Sequence, residues 1–226
     1  MRILQVLPAR PTEYEKKSQR IDFEGLKREH EVFIGRRIRA DVTLIYGRSP
    51  MSELPEAVEE RYFSQRSAGS PAGVDRLRAG PTLHTVASFR RRSIIPLIEQ
   101  AMARLHRTRD DIDWQLLDDP PTDFSLFDAW IDPAVDENDF DGFVAEAQVA
   151  GKIVVAARTP INLQRLEKGR TGLLVPPGDA NELTHAILAA LFIPEVAQQK
   201  IEAAKQTISK FHPSRRLRAL TQLLNT

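Results

Sequence analysis

Residues Phe127 to Asp179 read FDAWIDPAVDENDFDGFVAEAQVAGKIVVAARTPINLQRLEKGRTGLLVPPGD, and the order of elements in this stretch decides the fold. Ile153-Val154-Val155-Ala156-Ala157 is apolar, rich in β-branched residues and too short for a helix. It has the character of a parallel strand buried on both faces. Gly151 just before it suits a helix C-terminus, where glycine takes the left-handed conformation without a Cβ penalty. Upstream, a strand is expected to end at Ile131-Asp132-Pro133. Asp136 to Asp141 is an acid-rich loop, and Gly142–Ala150 is a helix carrying Glu146 one turn in from its start. Downstream come a loop at Arg158–Asn162, a second helix and a short strand. Strands alternating with helices in this way build a parallel sheet covered by those helices.

Further elements extend the pattern in both directions. Thr82–Ser88 and Trp114–Leu117 read as strands. Between them Ser93–Arg107 predicts a helix, since Ile94, Leu97, Ile98, Ala101, Met102 and Leu105 recur at the helical period. Asp179 and Glu182 have the spacing of a capping box for a helix to about Phe192. A helix is expected over Pro194–Lys210, and Pro213 suits the first turn of a last helix ending near Leu224. On the N-terminal side, Arg2–Leu7, Glu31–Gly35 and Asp41–Tyr46 read as short strands. Glu13–Glu29 is a charged helix anchored by Ile21, Phe23 and Leu26. Ser52 can cap a helix to about Arg66, and Ser67–Gly80, rich in Gly, Ser, Ala and Pro, reads as an interdomain linker.

Bulk properties narrow the function classes. The 226 residues suffice for one good-sized core or two small ones. The 32 basic and 31 acidic side chains are interspersed, so no net field draws the chain to nucleic acid or to a membrane. Arg36-Arg37, Arg90-Arg91-Arg92 and Arg215-Arg216 are short clusters without interleaved aromatics, and no nucleic-acid partner is expected. The absence of cysteine excludes a disulfide framework and a thiolate zinc site. No apolar run approaches the roughly 20 residues that span a bilayer, and MRILQVLPAR reads as a first strand rather than a signal peptide. A soluble cytoplasmic protein is the expectation, one that can also work at a membrane surface. The five histidines are dispersed, and no metalloprotease, Asp-x-Asp or nucleophile-elbow signature occurs.

Within the opening stretch, Ile131-Asp132-Pro133, Asp141-Gly142-Phe143, Glu146-Ala147, Gly151-Lys152-Ile153-Val154-Val155 and Thr171-Gly172-Leu173-Leu174-Val175-Pro176-Pro177-Gly178-Asp179 follow in order. Together they resemble the donor-sugar-binding core of retaining glycosyltransferases of the GT-B fold, family 4 or group 1 type. That family has a strand ending in Pro-Ser, an acid-Gly-Phe-Gly loop, a Glu-Ala pair, a Gly before a Pro-Val-Val strand, and Thr-Gly-Leu-Leu-Val-Pro-Pro-Gly-Asp. The likeness runs without a gap from Glu146 to Asp179. Pro71-Ala72-Gly73-Val74-Asp75 resembles the family's Pro-Asn-Gly-Val-Asp, and His30-Glu31-Val32 a strand of its first domain. The resemblance implies an α/β, GT-B-like chain of two Rossmann-like domains with parallel sheets, the N-terminal one strongly reduced. Residues 1–70 would be the acceptor-side domain and 71–212 the nucleotide-sugar-binding domain. Residues 213–226 would be a helix crossing back to the first. At least one strand–helix unit of the family is missing after Leu117.

The same resemblance assigns roles to residues. Glu146 would accept hydrogen bonds from the ribose hydroxyls, since two carboxylate oxygens fit a cis-diol. The family's first acid, eight residues earlier, falls on Asn138, and Glu137, Asp139 and Asp141 flank it. One of Asn138, Asp139 or Asp141 would hold the donor sugar's hydroxyls, with Gly142 and Phe143 in the same loop. Arg90 and Arg92 would meet the diphosphate at a helix start, through guanidinium forks and backbone N–H groups. Pro160 and Ile161 replace the family's Gly-Gly turn and take away backbone donors there, which leaves the side chains of Thr159 and Asn162. The implied function is metal-independent, retaining transfer of a sugar from a nucleotide-sugar donor to a glycan, lipid or small-molecule acceptor, with no cofactor. The alternative is a catalytically impaired relative that binds a nucleotide, a glycan or a partner chain, and homo-oligomerisation belongs to that reading.

Overall fold

The computed structural model describes residues 2–6, 13–28, 31–34, 42–45, 83–119, 121–134 and 143–224. The helix expected after Ser52, the linker at Ser67–Gly80, the Pro71–Asp75 segment and the acidic loop with Asn138, Asp139, Asp141 and Gly142 lie outside the described residues. The chain divides into two compact units, one of residues 1–60 with 209–226 and one of residues 61–208.

The first unit opens with β1 (Arg2–Val6), α1 (Glu13–Leu26), β2 (Glu31–Ile34) and β3 (Val42–Ile45). The strands form a parallel sheet in the order β2-β1-β3, with Ile3 level with Val32 on one side and Val42 on the other. Parallel pairing requires a crossover between β1 and β2, which α1 supplies.

The second unit runs β4 (His84–Phe89), α2 (Ile95–Leu105), β5 (Ile112–Leu117), β6 (Ala129–Asp132), α3 (Val144–Val149), β7 (Ile153–Ala157), α4 (Pro160–Arg165), β8 (Leu173–Val175), α5 (Ala180–Phe192) and α6 (Pro194–Lys205). Its five strands are all parallel, in the order β5-β4-β6-β7-β8. All five residues of β7 are buried, as its uniformly apolar sequence requires. Alternate residues serve opposite faces. Val86, Ile131 and Val155 join Leu105 of α2 and Leu183 and Ile187 of α5 in one buried cluster. Trp130, the neighbour of Ile131, meets Phe124 at 5.3 Å and Phe143 at 6.4 Å between ring centroids, in edge-on contacts.

The helix termini follow from local chemistry. At the end of α3, Gly151 has φ +78°; its N–H donates to Gln148 O, and Lys152 N–H reaches Ala147 O. That pair of bonds is a Schellman motif, which only a left-handed residue can make cheaply. Asp179 caps α5 by accepting from the N–H groups of Asn181 and Glu182. The expected capping box is formed on this side; the backbone N–H of Asp179 donates to Pro176 O. Two expectations are corrected. The stretch Arg158–Asn162, read as a loop, turns into α4 at Pro160, because Thr159 accepts from Asn162 N–H as N-cap and proline is preset for a first turn. The helix read to Lys210 ends at Lys205, and a 3₁₀ turn follows at Ile208–Phe211.

Gly172 of the Thr-Gly-Leu-Leu-Val run is there for space. A Cβ at this position would lie 2.9 Å from Leu166 Cδ2 and 3.0 Å from the Val154 carbonyl oxygen. Backbone cannot yield as a side-chain tip can, so Gly172→Ala is expected to cost about 1–3 kcal/mol, read from denaturant unfolding. An unchanged midpoint would show that β8 shifts freely.

The first unit is completed by α7 (Pro213–Leu224). Arg216 on it is 1 % exposed and pairs with Asp22 of α1, 0 % exposed on its side chain. The pairing is bidentate, Nε to Oδ1 at 2.8 Å and Nη2 to Oδ2 at 3.0 Å. Gly25 sits against Leu217, where a Cβ would fall 2.8 Å from Leu217 Cδ1. A side chain here would displace the Leu217 side chain from its contact with α1.

Candidate functional site

In the second unit the chain moves from β4 outward to β5, then returns past β4 to β6 and continues outward to β7 and β8. The direction of winding therefore reverses between β4 and β6. Open parallel sheets bind ligands outside the carboxyl ends of their strands at such a reversal. Phe89 ends β4, Asp132 ends β6 and Ala157 ends β7, so Arg90–Arg92, Asp132–Ala134 and Arg158–Asn162 all leave the sheet along one edge. The crossover from β6 to β7 brings the start of α3 back to that edge, with Glu146 in its first turn. The arginine turn, the end of β6, the turn after β7 and the start of α3 thus lie at the same edge of the sheet.

Individual side chains separate within it. Arg90 is exposed and turns toward β5. Its Nε is 2.8 Å from Asp118 Oδ1, and its Nη2 donates to Leu116 O. Arg92 is exposed as well. Arg91, which the sequence reading passed over, is the half-buried member of the three. Its guanidinium lies 5.7 Å from the centroid of the Phe89 ring, and its Nη1 is buried without a hydrogen-bond partner among the described residues. Its positive charge favours the ionised form of Asp132.

Asp132 is a buried carboxyl, 7 % exposed, at the end of the central strand of the sheet. Asn162 Nδ2 approaches its Oδ2 at 3.5 Å and donates to Ala157 O at 3.1 Å. Burial pushes the Asp132 carboxyl above the ordinary carboxylate range, against the pull of Arg91, Arg165, Asn162 and the Ala134 N–H. The folded chain therefore holds this proton more tightly than the unfolded chain does. Stability contributed by the neutral form is lost as pH rises from about 4 through the folded-state value. Asp132→Asn removes the ionisation, so its melting temperature relative to the parent should rise between pH 4 and pH 7. A relative fall over that interval would mean that pairing with Arg91 and Arg165 outweighs desolvation.

Glu146 is fully buried, so it is no solvated surface glutamate. Phe143, the residue before α3, is buried at φ +51° and packs 5.5 Å from the Phe89 ring. A bulky residue in the left-handed region is strained, and its neighbours have to hold it there. Phe143 thereby ties the start of α3 to the end of β4. Thr159 and Asn162 are buried, and their side chains cap α4 and bridge Asp132 to the β7 end. Asn138, Asp139, Asp141 and Gly142 lie outside the described residues. Asp132 and Arg91 are the two groups the sequence reading missed. A carboxylate that interrupts the apolar strand Ala129–Asp132 just before a proline was the available signal for the first. Three consecutive arginines offered none for the second.

The architecture is that of GT-B proteins. Residues 99–192 match the family described as Glycosyl transferases group 1. No curated protein sequence matches. Among solved structures, a glycosyltransferase from Rickettsia africae shares 12 % identity, with 98 % of this chain and 97 % of that one aligned at a TM-score of 0.67. HepE of Anabaena, solved with UDP, shares 13 %, with both chains fully covered and a TM-score of 0.62. Sucrose-phosphate synthase from Thermosynechococcus elongatus shares 19 % at a TM-score of 0.56; 91 % of this chain aligns, and it spans only 56 % of that enzyme's length. Among the described residues, no helix is long and apolar enough to cross a membrane.

Proposed function

We propose that the chain binds a nucleotide-sugar at the carboxyl edge of its five-stranded sheet and transfers the sugar, with retention and without a metal, to an acceptor hydroxyl. The observation that carries this reading is the gathering of Arg91, Asp132 and the Glu146-bearing start of α3 at the winding reversal. HepE, which shares the fold, was solved with UDP. In the proposed step the bond from the anomeric carbon to the diphosphate oxygen breaks, and the acceptor oxygen bonds to that carbon on the same face. The hydroxyl proton passes to the departing diphosphate. Arg91 stabilises the charge that grows on the leaving group, Glu146 receives the ribose diol, and the acidic loop with Asn138, Asp139 and Asp141 orients the sugar. Asp132 and Asn162 hold Arg91 and the β7 turn in place.

A second reading is favoured by one observation: Thr159 and Asn162, the side chains left to replace the glycine turn, are committed to the fold. On that reading the chain binds a nucleotide or glycan and transfers nothing. Among the described residues the large exposed apolar side chains are Leu83, Leu126 and Ile193. Isothermal titration with UDP-, GDP- and ADP-sugars, followed by a release assay for the free diphosphate, distinguishes the readings. Binding with release supports the enzyme, and binding alone supports the second reading. No binding at millimolar donor would overturn both.

A further inference from the structure

A groove of about 420 Å³ lies at β8, on the rim of the second unit, lined among others by Arg158, Lys168, Gly169, Gly172 and Lys200. Its three cations come from three separate pieces of chain: the turn leaving β7, the 3₁₀ turn Glu167–Gly169, and α6. Among the described residues no acidic side chain lines it. The nearest carboxylate in sequence, Glu167, is engaged by Arg170, whose Nε donates to Oε2 at 2.8 Å. Lys200 Nζ donates to Gly169 O at 2.6 Å, which pins the turn to α6. Lys168 stands on left-handed backbone at φ +57°, between Glu167 at +50° and Gly169 at +93°. Among the described residues none of Arg158, Lys168 and Lys200 forms an ion pair with a carboxylate. Three like charges around one concavity raise its potential, and a multiply charged anion relieves their repulsion.

We propose that this groove is a second anion site that takes a phosphate ester or diphosphate; it shares the turn at Arg158 with the carboxyl edge of the sheet, while Lys168 and Lys200 belong to it alone. Arg158 and Lys168 supply charged donors that close on the ligand, and Lys200 adds its charge from the far wall. The site is independent of whether the chain transfers a sugar.

The test is titration of the full chain with inorganic pyrophosphate at low salt, beside sedimentation with phosphatidylglycerol vesicles and with phosphatidylcholine vesicles. Lys168→Asn removes the charge and favours the left-handed backbone, so the turn is kept. Arg158→Gln is a second, exposed probe, and a thermal melt confirms that each variant is folded. Pyrophosphate affinity is expected to fall about tenfold or more in either variant and to persist in Arg91→Gln, which disables only the crevice. Vesicle binding that needs phosphatidylglycerol and is lost in Lys168→Asn would identify the phosphate as a lipid headgroup. Loss in Arg91→Gln with retention in Lys168→Asn and Arg158→Gln would overturn the proposal in favour of the crevice. No binding of either probe, or binding that none of the variants changes, would overturn it outright.

Discussion

Arg216→Met should destabilise the first unit by about 3–5 kcal/mol, because it leaves Asp22 charged in a buried place. Both partners are almost wholly removed from water, and the guanidinium meets the carboxylate through two hydrogen bonds. Small units are marginal to begin with, so a loss of this size takes most of what holds residues 1–60 together with 209–226. Limited proteolysis should show new cleavage within those residues while the second unit stays intact. The partner substitution separates two accounts. If the pair mainly cancels its own desolvation, Asp22→Leu combined with Arg216→Met should be far milder than either change alone. A double variant as unstable as the single Arg216→Met would mean that the ion pair is net stabilising against an apolar replacement.

On the proposed function, Arg91→Gln should lower kcat/KM for sugar transfer by about 10²–10³-fold, the usual consequence of removing one preorganised donor to a leaving group. Arg90→Gln and Arg92→Gln should each cost less than about tenfold, since an exposed pair such as Arg90 with Asp118 contributes little. In a chain that binds without transfer, the same ranking applies to affinity for the nucleoside diphosphate. The prediction is sharp because the three arginines are consecutive and identical in sequence. A larger loss at Arg90 or Arg92 than at Arg91 would place the diphosphate elsewhere. A pH profile adds a second readout: with Asp132→Asn, any dependence of transfer on the charge facing Arg91 should flatten.

Much of the fold was legible because its signals are local and strong. Ile153–Ala157 was read with correct bounds from a run of branched residues, and Pro213 marked the start of the last helix. Asp179 declared a helix start through its spacing to Glu182. Errors fell where two local preferences competed. Arg158–Asn162 contains a proline that could end one element or begin another, and the Thr159 hydroxyl decided for a helix. Motif order gave the positions of these residues along the chain: the arginines follow β4, Glu146 lies in the first turn of α3 and Asn162 in the first turn of α4. Side-chain direction was not legible. Which of three arginines faces inward depends on contacts remote in sequence, with Asp118 drawing Arg90 outward and Phe89 lying beneath Arg91. Asp132 was quoted only as part of a strand end, since nothing in sequence shows that its carboxyl is enclosed.

The ion pair between Asp22 and Arg216 joins residues 194 positions apart. During synthesis the carboxylate is made long before the guanidinium that neutralises it, and the whole sheet of the second unit emerges in between. The first three strands thus wait, incompletely satisfied, until the ribosome has delivered α7. A released chain ending at Ile208 should hold a native second unit while its first unit still needs a chaperone.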